Sequence, residues 1–478
     1  MTEERIRILS AALRESPPQE RKLGGDQFHW EENQMFLRKI PCATIVAGVA
    51  VCLLSLPAMA QVKTVRFLHN ETDPPSIEFY NKAINEFEAQ NPDIKIAMEA
   101  VSTDGRLQKV LAAVNSKTMP EIFKILPEER FLFANKGYLV PLDDMIDEIG
   151  RDDYLPGSLV PVDGKVYDVP YSLGNFSVLW QRDDLLKAKG LSTPKNWTDL
   201  EADAKALTGD GNYGFIFPAG KNRMTSIFLS HLIWSAGGTY FDKDLNVTFD
   251  NPGTIKALAF LKRMAQYSPK GIGSYSYGDM INVYMTGKVG LDIYASRLIA
   301  NAALTTPKLF DETSAAALPA GPSGVGVKFV NANSFALSSE AVGAKNIDAA
   351  RKFLKFIVSG DRLKEFSLTV HPHLIPPLKD VQEEVIKDGA ASLKGREEIA
   401  RIAFDTSNSL DFESEAGAQF KDGKVIRSGV INPYIGSIVA RGIPAEVVQR
   451  VVFQDETPED AAAWGQKRMQ DIVDNLKK

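Results

Sequence analysis

Residues 63–100 read KTVRFLHNETDPPSIEFYNKAINEFEAQNPDIKIAMEA. Lys63 to His69 is short and β-rich, the pattern of a first strand. Asp73-Pro74 supplies a helix start, and Ile77, Tyr80, Ile84 and Phe87 follow at helical spacing. Asn91-Pro92 stops that helix. Ile94, Ile96, Met98 and Ala100 then alternate along a second strand. Leu107, Val110, Leu111 and Val114 return to helical spacing. Strand–helix–strand–helix predicts an open α/β sheet with crossover connections.

The alternation continues toward the C-terminus. Thr198 to Glu201 has the capping-box pattern, with Trp197, Leu200, Ala204 and Leu207 as one face. Phe215-Ile216-Phe217 fits a short buried strand, and Ala350, Phe353, Leu354 and Ile357 an amphipathic helix. Thr457-Pro458-Glu459-Asp460 combines an N-cap, a proline at N1 and first-turn acids. Met469, Ile472, Val473 and Leu476 give that last helix its apolar side. There is no internal repeat, heptad run or long low-complexity linker. Two lobes would therefore be joined by crossing strands rather than by a tether.

Upstream lies a different kind of segment. Arg38 and Lys39 form a basic head, Thr44 to Leu56 carries no charge, and Ala58-Met59-Ala60 ends in small residues. That is the layout of a secretory signal peptide cut before Gln61. A membrane span needs about 20 apolar residues, and Pro41 and Pro57 bracket a shorter run. A buried helix is the other alternative. Residues 1–34 are polar, with Pro17-Pro18 and Gly24-Gly25 inside. They are expected to be a disordered extension from an upstream start choice, with Met35 the true start. Both cysteines, Cys42 and Cys52, fall inside the signal, so the exported chain has no disulfide and no thiol ligand. No cysteine at the cut offers a lipid attachment point. The formal net charge is −6 and basic runs are absent, which argues against nucleic acid as a partner.

Familiar catalytic signatures are missing: no G-x-S-x-G, H-E-x-x-H, P-loop or C-x-x-C occurs. Gly271 and Gly273 lack the third glycine of a dinucleotide loop, and Gly321 to Gly326 reads as a turn. His371 and His373 could offer two metal ligands, but zinc sites usually need three or four. No cofactor or metal is expected. Aromatic residues stand instead beside small and polar ones: Tyr171, Phe176 and Trp180, then Trp234, then Tyr294. Aromatic faces stack on sugar rings while polar neighbours bond the hydroxyls. Each aromatic also has the plain reading of a core residue.

Four segments in order resemble the extracellular solute-binding proteins of the maltose-binding type. They are Ala83 to Ile96 (AINEFEAQNPDIKI); Met119 to Phe123 with Phe133 to Asp143; Asp163 to Leu186 (DGKVYDVPYSLGNFSVLWQRDDLL) with Thr193 to Thr198; and Ala317 to Gly324 with Phe335 to Ser339 and Ala349 to Phe356. Trp180-Gln181 departs from the family's usual Tyr-Asn, and no tryptophan stands near Ser296-Arg297 where the family often has one. The resemblance implies an α/β, two-lobed periplasmic-binding-protein fold of type II, its lobes joined by crossing hinge strands. It implies residues 61–170 with 294–332 in one lobe and 171–293 with 333–478 in the other. Crossings are expected near Val169 to Asn175, Leu291 to Arg297 and Val330 to Leu337.

The resemblance also implies a periplasmic, non-enzymatic, monomeric receptor. It would take a small carbohydrate or polyol and deliver it to the permease subunits of an ABC importer. By position, the implied ligand contacts are Asn70, Glu71, Glu128, Tyr171, Asn175, Trp180, Asn222, Arg223, Trp234, Tyr294, Arg297, Asn333 and His373. A charged ligand clamped by Arg223 and Arg297, such as a phosphorylated polyol, stays open as an alternative. So does a secreted glycoside hydrolase with paired carboxylates.

Overall fold

The computed structural model describes residues 62–477, and the chain from Ala60 to Lys478 forms one compact unit. The readings of 1–34 as an extension and 35–60 as a signal lie outside the described residues. Strands β1 (Lys63–His69) and β2 (Ile94–Ala100) pair in parallel from Lys63↔Ile94 to His69↔Ala100. The helix Pro74–Gln90 joins them and buries Phe79, Tyr80, Ala83, Ile84 and Phe87, as its spacing requires. Asn91 stops it by donating Nδ2 to the Phe87 carbonyl at 2.8 Å. Strand β3 (Ile122–Ile125) lies on the other side of β1.

The chain leaves this lobe through β4 (Asp168–Asn175) and enters a second sheet. That sheet holds β5 (Val178–Arg182), β6 (Tyr213–Ile216), β7 (Val289–Tyr294) and β8 (Thr313–Ala316) in the order β6-β7-β5-β8. Strand β9 (Lys328–Leu337) then runs back, pairing with β4 from Asp168↔Ala336 to Asn175↔Val330 and with β3 at Ile122↔Leu337. Two-residue β10 (Ser409–Leu410) adds to the start of β9. The first lobe's core gathers Phe67, Tyr80, Phe87, Phe353 and Phe366; the second's gathers Phe215, Phe228, Trp234, Leu258 and Val473. No helix among the described residues is long and apolar enough to cross a membrane.

The lobe boundaries differ from the sequence expectation. Residues 291–297 are not a crossing: β7 is an interior strand of the second sheet, bonded to β5 and β6. The second crossing is β9, and the third follows residues 370–378, which run beside β4 with Leu173 and Ile375 exchanging backbone bonds before the chain joins the second lobe's core at Val385. Accordingly β8, expected in the first lobe, pairs with β5 in the second. The helix Ile347–Ile357, expected in the second lobe, buries Phe353 and Leu354 against the first. Core burial decides both cases, and turn spacing alone did not reveal it. One cap also shifts. Asn196, not Thr198, caps the helix Trp197–Leu207, accepting the Asp199 amide at 3.0 Å. Leu476, expected on the apolar side of Pro458–Lys477, is exposed.

One buried acid has an energetic consequence. Asp292 on β7 is fully buried opposite Trp180, and neither carboxylate oxygen bonds another side chain among the described residues. Burial pushes its carboxyl well above the usual range, opposed by the Ile293 backbone amide. A raised folded-state value favours folding only below the ordinary aspartate pKa of 3.8 and opposes it as pH rises. Asp292→Asn is therefore expected to stabilise the protein at pH 8 by about 1–3 kcal/mol, because the amide neither ionises nor has to take up a proton on folding. The gain should disappear near the ordinary aspartate pKa. Thermal melts at both pH values check this.

Candidate functional site

Ligands of open α/β sheets sit beyond the carboxyl ends of parallel strands. Here β1 ends at His69, and the next residues, Asn70 to Asp73, lead straight into a helix. Glu71 is buried and meets three side chains. The Tyr171 hydroxyl donates to its Oε1 at 2.6 Å. Lys124 Nζ lies 3.5 Å from Oε1, and Arg297 Nη2 lies 3.3 Å from Oε2. Arg297 stands at the start of the helix Arg297–Thr305, just after β7 of the second lobe. Its Nη1 also bonds Asp73. The guanidinium thus spans two carboxylates of the opposite lobe.

Asp73 occupies the N-cap position of Pro74–Gln90, yet its side chain makes no capping bond. A cap is commonly worth about 1 kcal/mol. The carboxylate is turned to Arg297 instead. Lys124 of β3 donates to Asn333 Oδ1 at 3.0 Å, and Asn333 Nδ2 donates to Ser172 Oγ at 3.2 Å. Both partners lie on the crossing strands β4 and β9. The Tyr171 ring stacks on Phe335 with centroids 4.3 Å apart, which fixes the hydroxyl that Glu71 receives.

The electrostatics follow from this packing. Burial alone would raise the Glu71 carboxyl; Lys124, Arg297 and the Tyr171 hydroxyl reverse that and bring it down to about 2. Burial lowers Lys124 to about 8, with Glu71 holding it up against the nearby Arg106 and Arg223. His373 is kept neutral, first by burial and then by Arg297, and His69 falls to about 4 through burial. The floor of the cleft thus sets the carboxylates of Glu71 and Asp73 against Lys124 and Arg297.

Of the expected contacts, Glu71, Tyr171, Arg297, Asn333 and His373 converge here. Asn70 is half-buried beside them. Arg223 lies over the Phe412 ring at 5.8 Å and acts on Lys124 from the second lobe. Asn222 caps the helix Arg223–Ser235 and donates to the Tyr275 carbonyl at 2.9 Å. Glu128 lies in the first turn of the helix Pro127–Asn135; its side chain is outside the described residues.

Four expectations are corrected. Trp180 is fully buried, with Nε1 donating to the Tyr294 carbonyl at 3.1 Å. Trp234 is fully buried against Phe329 with centroids 5.8 Å apart. Both belong to the second lobe's core, so neither is a stacking platform. Tyr294 is buried too, its hydroxyl donating to the Tyr277 carbonyl at 2.7 Å. Asn175 braces the hinge, bonding the Ala403 carbonyl at 3.0 Å and the Ser177 amide at 3.0 Å. The aromatic faces left near the cleft are half-buried Phe176 and Tyr277, in edge contact at 6.5 Å.

Sequence reading missed Lys124, Asp73 and Tyr277. Lys124 had a signal: a lysine inside the apolar strand Ile122–Ile125, where a charge must find partners. Asp73 was hidden by its plausible role as a helix cap.

Known proteins place this architecture. A putative binding protein of Brucella abortus (strain 2308) is 29% identical over 340 residues, covering 70% of this chain and 80% of the relative. An ABC transporter solute-binding protein from Thermotoga lettingae bound with α-D-tagatose superposes with a TM-score of 0.71 at 19% identity, covering 86% of this chain and 100% of that one. Another from Agrobacterium radiobacter K84, in complex with ribitol, superposes with a TM-score of 0.70 at 20% identity, covering 86% and 99%. The family model for bacterial extracellular solute-binding proteins matches residues 73–360, more than half of the chain. The chain, two α/β lobes closed on a polar cleft, belongs to the bacterial extracellular solute-binding proteins.

Proposed function

We propose that this protein is the periplasmic receptor of an ABC importer and that its ligand is a sugar or a polyol. The observation that carries this is Arg297 of the second lobe held between Glu71 and Asp73 of the first, above Lys124 and Asn333. Carboxylates and guanidinium groups grip hydroxyls through paired, charge-assisted bonds. A hydroxylated ligand entering between the lobes takes over some of these bonds and ties both lobes to itself. Its differential affinity for the closed state then drives closure. Glu71 and Asp73 offset Lys124 and Arg297 at the floor itself, while Arg223 adds a further positive charge from the second lobe, so salt dependence of affinity separates a neutral ligand from a phosphorylated one. The relatives bound to tagatose and ribitol support the same class. Asn70, Glu71, Tyr171, Arg223, Arg297, Asn333 and His373 are the proposed contacts.

The closed form is what the permease subunits would recognise. The receptor acts as a monomer, is cut before Gln61 and returns its ligand chemically unchanged. The test is a thermal-shift screen of residues 61–478 against hexitols, pentitols, monosaccharides and disaccharides. A ligand at one hundred times its Kd should add about 2.7 kcal/mol, read as a melting temperature higher by several degrees. Chromatography of the mixture should recover the ligand intact. A shift with amino acids or metal ions and none with any polyol or sugar would overturn the reading, and a hydrolysis product would replace it with glycosidase chemistry.

A further inference from the structure

A second ionic contact joins the lobes away from the cleft floor. Arg130 lies on the helix Pro127–Asn135 of the first lobe. Its Nε and Nη2 bond both oxygens of Asp168, at the start of β4, at 2.8 and 3.0 Å. Its Nη1 bonds Glu413 Oε2. Glu413 is anchored in the second lobe. Its carbonyl accepts the Asn432 amide at 2.8 Å, and the adjoining Phe412 packs on Phe329. Glu415 takes the Tyr240 amide at 2.8 Å. Arg130, Asp168 and Glu413 are all 1–2% exposed.

The cluster does not balance. One guanidinium faces two carboxylates, and Asp168 already engages it with both oxygens. Glu413 receives a single bond, and its Oε1 has no partner among the described residues. The neighbouring Asp411 adds another negative charge, and the apolar helix Ile435–Ala440 packed on Pro127–Asn135 brings no titratable group. A buried surplus anion is costly unless it binds a proton. Opening the lobes would return Glu413 to water, where it ionises like any glutamate, while Arg130 keeps Asp168.

We propose that Glu413 is a proton-operated clasp: it takes up a proton as the lobes close over it, so the empty receptor closes further as its surroundings become less alkaline. Glu413 and Arg130 act here as positioning residues, outside the proposed ligand contacts. Burial, with Asp411 and Asp168, pushes the Glu413 carboxyl up to about 8 in this closed form, against the pull of Arg130. The value is raised on closing, so the clasp is complete below the ordinary glutamate range and is lost as pH rises through 8. Other closure-sensitive groups act outside this window. Lys124, lowered to about 8, changes its balance above that pH. His69 and His373, kept neutral by burial, oppose closure only below their ordinary value of 6.5. Glu415, also pushed up to about 8 by burial, is held within the second lobe by the Tyr240 amide, so between about 6.5 and 7.5 Glu413 governs closure. Apparent affinity follows the fraction of molecules able to close, so the proposal adds regulation to the receptor reading.

The experiment uses no ligand, so its outcome is separate from that of the screen. The exported chain lacks cysteine, and spin labels can be placed at exposed Gln108 in the first lobe and Asn282 in the second. Pulsed EPR then measures the closed-to-open ratio at pH 6.5, 7.5 and 8.5. The ratio should fall at least fivefold from pH 6.5 to 7.5 and level off toward 8.5, where Lys124 acts in the opposite direction. Glu413→Gln, neutral at every pH, should abolish that fall and leave only the rise above pH 8 that Lys124 brings. Asp411→Asn removes the neighbouring charge and should move the midpoint to lower pH without flattening the response. A wild-type ratio that does not change with pH, or a Glu413→Gln response equal to wild type, overturns the proposal.

Discussion

Arg297→Ala is expected to weaken ligand binding by a hundredfold or more. The side chain ties Glu71 and Asp73 of one lobe to the other. Truncating one member of a buried, hydrogen-bonded charge pair costs about 2–5 kcal/mol, much of it from the charge left behind. Glu71 would keep Lys124 and Tyr171, and Asp73 would return to water. The loss therefore falls on closure and ligand contact rather than on folding. Arg297→Lys should recover only part of the affinity, since an ammonium cannot span two carboxylates with a planar fork. Calorimetric titration with the compound giving the largest thermal shift measures both. An unchanged Kd in Arg297→Ala would place the ligand elsewhere.

Trp180→Ala should do the opposite: it should cost stability first. The indole is fully buried in the second lobe and bonds the Tyr294 carbonyl. Removing a buried tryptophan typically costs about 3–5 kcal/mol through lost transfer energy and the cavity left. Trp234→Ala, against Phe329, should behave alike. Denaturant unfolding is the measurement. A Trp180→Ala protein of wild-type stability that no longer binds would restore the stacking role.

Much of the fold was legible because local signals agreed with the final packing. Strand β1, the helix Pro74–Gln90 and β2 stand where the change from apolar alternation to helical spacing and back puts them. Segment order then carried the resemblance to the family that the chain proves to belong to. The lobe assignment of residues 294–332 and 333–378 was not legible. It depends on which sheet β8 and the helix Ile347–Ile357 meet after long excursions, and spacing does not encode that. The site divided along similar lines. Glu71, Tyr171, Arg297, Asn333 and His373, proposed contacts still, come together in space because they sit at strand ends or crossings. Trp180 and Trp234 misled, because an aromatic beside small residues looks the same in a core as in a cleft. Lys124 was overlooked because an apolar strand discourages a search for charge.

The return strand β9 carries a consequence for how the molecule is made. The central pairing of the first sheet joins Ile122 to Leu337. Until β9 has been synthesised, β3 has an open edge and the first lobe cannot finish its core. Contacts so distant in sequence form slowly, because the entropy of closing the intervening loop must be overcome first. The same strand that hinges the finished receptor is therefore the one its first lobe must wait for before its core can close.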